Sequence, residues 1–246
     1  MSGIFMHRFF VTTPLEKEII LPVGDLYHQL THVFRTRAGE RIILFSEGTD
    51  DIMYEIGNIT KKSLILSQKE TIQNLFLAWK KSLIVFQSYP NKLTTLELLV
   101  QKFTELWVER VIFWKSDYAQ IQDISQAKQS RIESIAREAL EQCWANKSLI
   151  IEYSPQGLQK LLEAYSDYAH IVGHYEGKEL PKIPKEIPLA LWIGPEGGWS
   201  ASELTFFSEK DFILWKFNNR ILRLETAAIV GSGILLSESH LFLSWI

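Results

Sequence analysis

From about residue 78 onward, short runs of Ile, Leu, Val and aromatic residues alternate with stretches of helical spacing. The runs are KKSLIVFQS (80–88), ERVIFWK (109–115), residues near 148–152, 168–173 and 187–193, and FILWKF (212–217). Helices are predicted over 92–107, 126–143 and 155–165, from Ser200, and from about residue 223. Leu93, Leu96, Leu99, Val100 and Phe103 share one helical face, and Ile132, Ile135, Ala136 and Ala139 share another. Thr94-Thr95-Leu96-Glu97 and Ser200-Ala201-Ser202-Glu203 each fit a capping box. This alternation implies a parallel sheet wrapped by helices. The stretch EGKELPKIPKEIP (176–188), with its prolines and charges, is expected to be an exposed loop.

Residues 1–70 have a different texture. HRFFV (7–11), RIILFS (41–46), DIMYEIGNIT (51–60) and KSLILSQ (62–68) read as short strands, with a hairpin at Glu47-Gly48-Thr49-Asp50 and one short helix near 24–34. Four or five short strands cannot bury two faces as an open sheet, which suggests a small closed barrel. Two domains are therefore expected, 1–72 and 73–246. The join near 71–77 is short and poor in Gly and Pro, which predicts limited freedom between them.

Composition narrows the function classes. Lys and Arg number 26 against 29 Asp and Glu, a net charge of −3, so a nucleic-acid partner would be held by a local basic patch and not by a global field. The lone Cys143 excludes an internal disulfide and a multi-cysteine zinc cluster. No apolar run of membrane-spanning length occurs, the first residues lack the regions of a signal peptide, and a cytoplasmic location is expected. His28 and His32 lie one helical turn apart, but Gln29 stands where a zincin has its glutamate, so no metal site is assigned.

Ile193-Gly194-Pro195-Glu196-Gly197-Gly198-Trp199-Ser200 joins an apolar strand to a capped helix. Glycines at the carboxyl end of a parallel strand let main-chain groups approach a ligand closely; they also serve a turn that needs positive φ. Neither G-x-x-x-x-G-K-[ST] nor G-x-G-x-x-G occurs, which disfavours triphosphate and dinucleotide binding. A second segment, Asn218-Asn219-Arg220-Ile221-Leu222-Arg223-Leu224-Glu225-Thr226, sets two arginines and a glutamate at the mouth of an apolar helix. It reads either as an anion-handling site or as an Arg223–Glu225 ion pair at the helix start. A third, Glu141-Gln142-Cys143-Trp144-Ala145-Asn146-Lys147, ends a helix, where Asn146 has the type of a C-terminal cap.

In combination these segments resemble the RsmE family, ribosomal RNA uridine-N3 methyltransferases of the SPOUT class. IGPEGGWSASEL (193–204) and NNRILRLETAA (218–228) carry the resemblance; HRFF (7–10), HVFRTRAGERI (32–42), Lys92, QKFTELWVERVI (101–112) and REALEQCWANK (137–147) follow the family's order. The resemblance implies an α/β fold, a SPOUT domain with a C-terminal trefoil knot, preceded by a small PUA-like β-barrel that binds RNA. It implies S-adenosylmethionine held by three loops: Val172, Gly173 and His174; Ile193, Gly194, Pro195, Glu196, Gly197 and Gly198; and Ile221, Leu222 and Leu224 among Arg220–Glu225.

The implied reaction methylates N3 of a uridine in small-subunit (16S) ribosomal RNA, free or in the assembled subunit. Arg220 and Arg223 would stabilise the charge left when the N3 proton departs, and Glu225 or a water would take that proton. Arg8, Arg35, Arg37 and Asn146 are the candidate RNA contacts. The last helix, Leu224–Leu236, is apolar nearly all round and must be covered on most sides. The resemblance implies a homodimer through this region with composite sites, and no membrane partner is expected. Where the family has Gly-Arg-Asn, this chain has Trp144-Ala145-Asn146, so an expected arginine is absent. That departure leaves two alternatives: a SPOUT methyltransferase acting on another RNA, and a non-catalytic RNA-binding or ribosome-assembly protein.

Overall fold

The computed structural model describes residues 6–73, 83–121, 123–184, 186–217 and 219–237. The chain divides into two units: Met1–Trp79 with Leu140–Lys147, and Lys80–Ala139 with Ser148–Ile246. Most of the 71–77 join lies outside the described residues.

The first unit is built on one five-stranded sheet: β1 (Arg8–Phe10), β2 (Glu18–Pro22), β3 (Arg41–Phe45), β4 (Asp51–Ile59) and β5 (Ser63–Ile72). The order is β1-β3-β4-β5-β2, with β1 parallel to β3 and the remaining ladders antiparallel. The sheet is a half-barrel, with β1 and β2 as the ladder's edges among the described residues. Helix α1 (Asp25–His28) runs into a π-helical turn, Gln29–Val33. Leu30 from that turn packs on Phe9, Ile42, Leu44, Tyr54, Ile56, Leu64 and Leu66. The expected hairpin forms at 46–50, where Gly48 has φ +66. Strand β2 was not expected: EIILP alternates over only five residues, and Ile20 points to solvent.

The second unit is a six-stranded, wholly parallel sheet in the order β11-β9-β10-β6-β7-β8. Its elements are β6 (Leu83–Ser88), α2 (Leu93–Glu105), β7 (Arg110–Trp114), α3 (Gln126–Gln142), β8 (Ile150–Ser154), α4 (Leu158–Ala164), β9 (Ala169–Lys178), β10 (Leu189–Ile193), α5 (Ala201–Glu209), β11 (Ile213–Trp215) and α6 (Leu224–Ser237). The last turn of α3 and the residues after it are counted in the first unit. Side chains alternate across the sheet. Leu83, Val85, Val111, Phe113 and Leu191 face a core shared with α2 and α6, while Ile84, Phe86, Ile112, Trp114 and Trp192 face the α4–α5 side. The central strands β6, β7 and β10 are buried on both faces, which is why they read as continuous apolar runs.

Two local expectations change. Thr94–Glu97 forms no capping box: α2 starts after Lys92 without a side-chain cap, and Glu97 instead receives the Arg131 guanidinium at 2.6 Å. Strand β9 continues to Lys178, into the stretch expected to be loop, because its end pairs with Trp215 of β11. Among the described residues no helix is long and apolar enough to cross a membrane.

Candidate active site

The chain leaves the sheet outward from β6 to β8, then crosses to β9 and returns to place β10 between β9 and β6. Strand order therefore reverses beside β10. Crevices beyond the carboxyl ends of strands at such a point are the usual ligand sites of open parallel sheets. A cleft of about 870 Å³ opens there.

The glycine turn after β10 forms its floor. Gly198 adopts φ +76, a backbone that a side chain would strain. At Gly194 a Cβ would sit 3.1 Å from the Trp199 indole, and at Gly197 one would sit 3.3 Å from Tyr118 Cβ. Gly194 and Gly197 thus make room for neighbouring rings, and Gly198 serves the turn. The Ser200 capping box forms as expected: Ser200 Oγ accepts from the Glu203 N–H at 3.1 Å, and the Glu203 carboxylate accepts from the Ser200 N–H at 2.8 Å. Glu203 also accepts from the Asp117 N–H at 3.0 Å, and Ser200 Oγ donates to the Asp117 carboxylate. Burial raises the Glu203 pKa, and the two main-chain N–H donors oppose that shift. The Asn91 N–H donates to Glu196 Oε1 at 3.0 Å, so the loop after β6 also holds the glycine turn.

The second wall is the end of β9. Gly173, His174, Tyr175 and Glu176 line the cleft, and burial lowers the His174 pKa. The third wall, Arg220 to Glu225, leads into α6. Arg220 and Arg223 are exposed, Glu225 is half-buried, and Ile221 is 83% exposed. No ion pair joins Arg223 to Glu225 among the described residues, so the arginines are not engaged in the helix-start pairing weighed above. Asn218 lies outside the described residues.

One cleft therefore collects Gly173, His174, Ile193 to Gly198, and Arg220 to Glu225. Val172 is the exception: its side chain is fully buried in the core on the α4–α5 side of the sheet and does not line the cleft. Residues not singled out beforehand also belong to the site, notably Asn91, Thr95, Tyr175 and Phe217. Phe217 was visible only as one more apolar residue of a strand.

The candidate RNA contacts fare differently. Arg8 is buried, and its five N–H groups are all engaged. Nε and one Nη reach Asp51 at 2.9 Å, that same Nη also meets Asn146 Oδ1, and the other donates to the carbonyls of Leu140 and Ala145 at 3.1 Å. Asn146 is equally buried and donates to Asp51 at 3.0 Å and to the Thr49 carbonyl. Neither has a group left for phosphate, so both leave the set of RNA contacts. Asn146 is not a helix cap either. Arg35 and Arg37 are exposed on the first unit. His28 and His32 lie 5.2 Å apart, and no cluster of three His, Cys, Asp or Glu side chains suited to a metal occurs among the described residues.

The model of the RNA methyltransferase domain family matches residues 78–236. The chain belongs to that family. It is 26% identical to the ribosomal RNA small subunit methyltransferase E of Bacillus subtilis, over 96% of this chain and 98% of the relative. Among solved structures, the small subunit methyltransferase E of Neisseria gonorrhoeae, bound to S-adenosylmethionine, superposes with a TM-score of 0.80 at 21% identity, covering 95% of this chain and 98% of that one. A Legionella pneumophila protein solved with the same cofactor gives 0.81 at 22% identity, covering 96% and 98%. These likenesses show that the mixed α/β fold extends over nearly the whole length of this RNA methyltransferase family member.

Proposed function

We propose that this chain transfers a methyl group from S-adenosylmethionine to N3 of a uridine in small-subunit ribosomal RNA. The observation that carries the reading is the convergence of three separate loops, after β9, after β10 and before α6, on one cleft of cofactor size. The cleft fits the cofactor: Gly173–His174, Gly194–Gly198 and Ile221–Leu224 line it, with Ile193, Leu222 and Phe217 as apolar lining for an adenine ring. In this reading the chain threads those loops as a trefoil knot, and the half-barrel of the first unit is a PUA-like RNA-binding module.

The cofactor supplies a methyl already activated by its sulfonium. The chain's own residues supply placement and charge. Loss of the N3 proton spreads negative charge over the uracil O2 and O4, and Arg220 or Arg223, exposed at the cleft wall, stabilises it. Glu225 or a water accepts the proton. The target base must be unstacked to reach such a cleft. Arg35 and Arg37 meet phosphate. A homodimer is proposed through α6: Leu224, Ala228, Gly231, Ser232, Leu235 and Leu236 face the chain's own core, while Val230 remains exposed for a partner copy. The protein acts in the cytoplasm, on free rRNA or on the assembled subunit.

Mass mapping of small-subunit rRNA from a deletion strain tests the reading. One N3-methyluridine should disappear and return on complementation. Unchanged rRNA with a methyl lost from another RNA would move the substrate. No S-adenosylmethionine binding by calorimetry would remove the activity.

A further inference from the structure

The residue after the end of α3 that adopts a left-handed backbone is Trp144, at φ +61. A bulky aromatic is seldom found there; glycine or asparagine is the usual occupant. Core packing does not account for it, because Trp144 is 45% exposed. The residues around it are nonetheless pinned. Arg8 donates to the carbonyls of Leu140 and Ala145, and the Asn146 carbonyl accepts from the Gly48 N–H at 2.8 Å. The indole also lies 5.6 Å from the Arg8 guanidinium, whose near contact, at 3.4 Å, is the Phe45 ring. A large π surface is thus held out to solvent on a fixed backbone, with the exposed Lys147 three residues on. A preordered ring loses little entropy on binding.

We propose that the exposed face of Trp144 is a stacking platform for an unpaired base of the RNA substrate, on the first unit. The inference rests on the RNA-modifying reading above. Every base offers a π face, so an aromatic platform grips single-stranded RNA without reading its sequence, and a nearby cation suits the adjoining phosphate. The platform also supplies RNA affinity where the resemblance finds Ala145 in place of an arginine.

The test uses the full chain and a dye-labelled single-stranded oligouridine, followed by anisotropy. Trp144→Gly should bind it roughly tenfold more weakly, in keeping with the loss of one stacked base. Its thermal midpoint should hold or rise, since glycine is at ease at this φ. Trp144→Phe, which keeps a ring, should stay within threefold of the parent, and both variants should keep the parent's S-adenosylmethionine affinity. Affinity for RNA within twofold of the parent in Trp144→Gly overturns the proposal. So does a Phe variant as weak as the Gly variant, or a parent with no measurable affinity. A parent that shows the tenfold effect yet leaves small-subunit rRNA unmethylated sinks the uridine-N3 reading alone.

Discussion

Trp199 donates its indole N–H to the carbonyl oxygen of Gly173 at 3.1 Å. The same ring lies against Gly194, where a Cβ would come within 3.1 Å of it. One side chain therefore fixes the distance between the end of β9 and the glycine turn after β10. Phe217 does the same for the third wall: its ring would meet a Cβ on Gly173 at 2.8 Å and one on Gly231 at 3.0 Å. Two aromatic rings tie the three walls of the cleft together, and three glycines leave room for them.

Trp199→Phe keeps a ring under the turn and removes the donor to Gly173. The expected cost in stability is about 1 kcal/mol, that of one hydrogen bond. The cofactor effect should be larger in proportion, because β9 is then free to shift relative to the turn. Calorimetry should show S-adenosylmethionine affinity lowered several-fold, and steady-state assays should show a raised KM for the cofactor with little change in KM for RNA. Equal changes in both constants would contradict a spacing role.

Gly173→Ala presses a methyl into Phe217 and, at 3.2 Å, into Ile193 Cδ1. Neither ring nor strand can retreat far in a packed core, so overpacking should cost about 1–3 kcal/mol by urea unfolding. The displaced Phe217 moves into the cleft. Cofactor affinity should therefore fall by about tenfold or more, and Phe217→Leu in the same chain should restore part of both losses.

What was legible in the sequence follows from how local each signal is. Apart from the end of β9, which its pairing with Trp215 extends, the strand ends of the second unit and the Ser200 cap depend on neighbours within a few residues, and they lie close to where periodicity puts them. The glycine turn and the arginine segment were recognisable as site material, and they do share a cleft. The struts were not legible, because a ring that fills the space over a glycine 44 residues away, or an indole that donates to a carbonyl 26 residues away, leaves no pattern in the chain. Arg8 misled for a similar reason. An arginine near the start of the chain looks like a surface cation until Asp51, 43 residues on, is brought against it. The Thr94–Glu97 box failed because α2 begins at Leu93, which puts Thr94 inside the helix, and Glu97 instead receives Arg131, 34 residues away.

Arg8→Ala should be far more damaging than loss of a surface cation. It strands the buried Asp51 carboxylate and leaves the Leu140 and Ala145 carbonyls without their donor. Breaking one side of a buried pair costs about 3–5 kcal/mol. Urea unfolding should show that loss, and the paired change Arg8→Met with Asp51→Leu should recover the part due to the stranded carboxylate, while the Leu140 and Ala145 carbonyls stay without their donor. Any fall in RNA affinity in Arg8→Ala should disappear in the paired variant. Persistent weakness there would return Arg8 to the RNA contacts.

His170 gives the molecule an acid-side dependence. Its Nδ1 accepts the Trp192 indole N–H at 3.0 Å, which leaves Nε2–H to donate to the Tyr165 carbonyl at 3.0 Å, so the folded state holds the neutral ring. Burial lowers its pKa, against smaller opposing effects of the Tyr165 carbonyl and Asp167. With the folded pKa below the unfolded one of about 6.5, the unfolded chain takes up the proton first. The stabilisation is complete above that value and is lost as pH falls from it toward the folded pKa. Thermal midpoints should decline over that interval. His170→Gln, whose amide oxygen can still accept from Trp192 but does not titrate, should flatten the slope, and an unchanged slope in that variant would assign the acid sensitivity to another group.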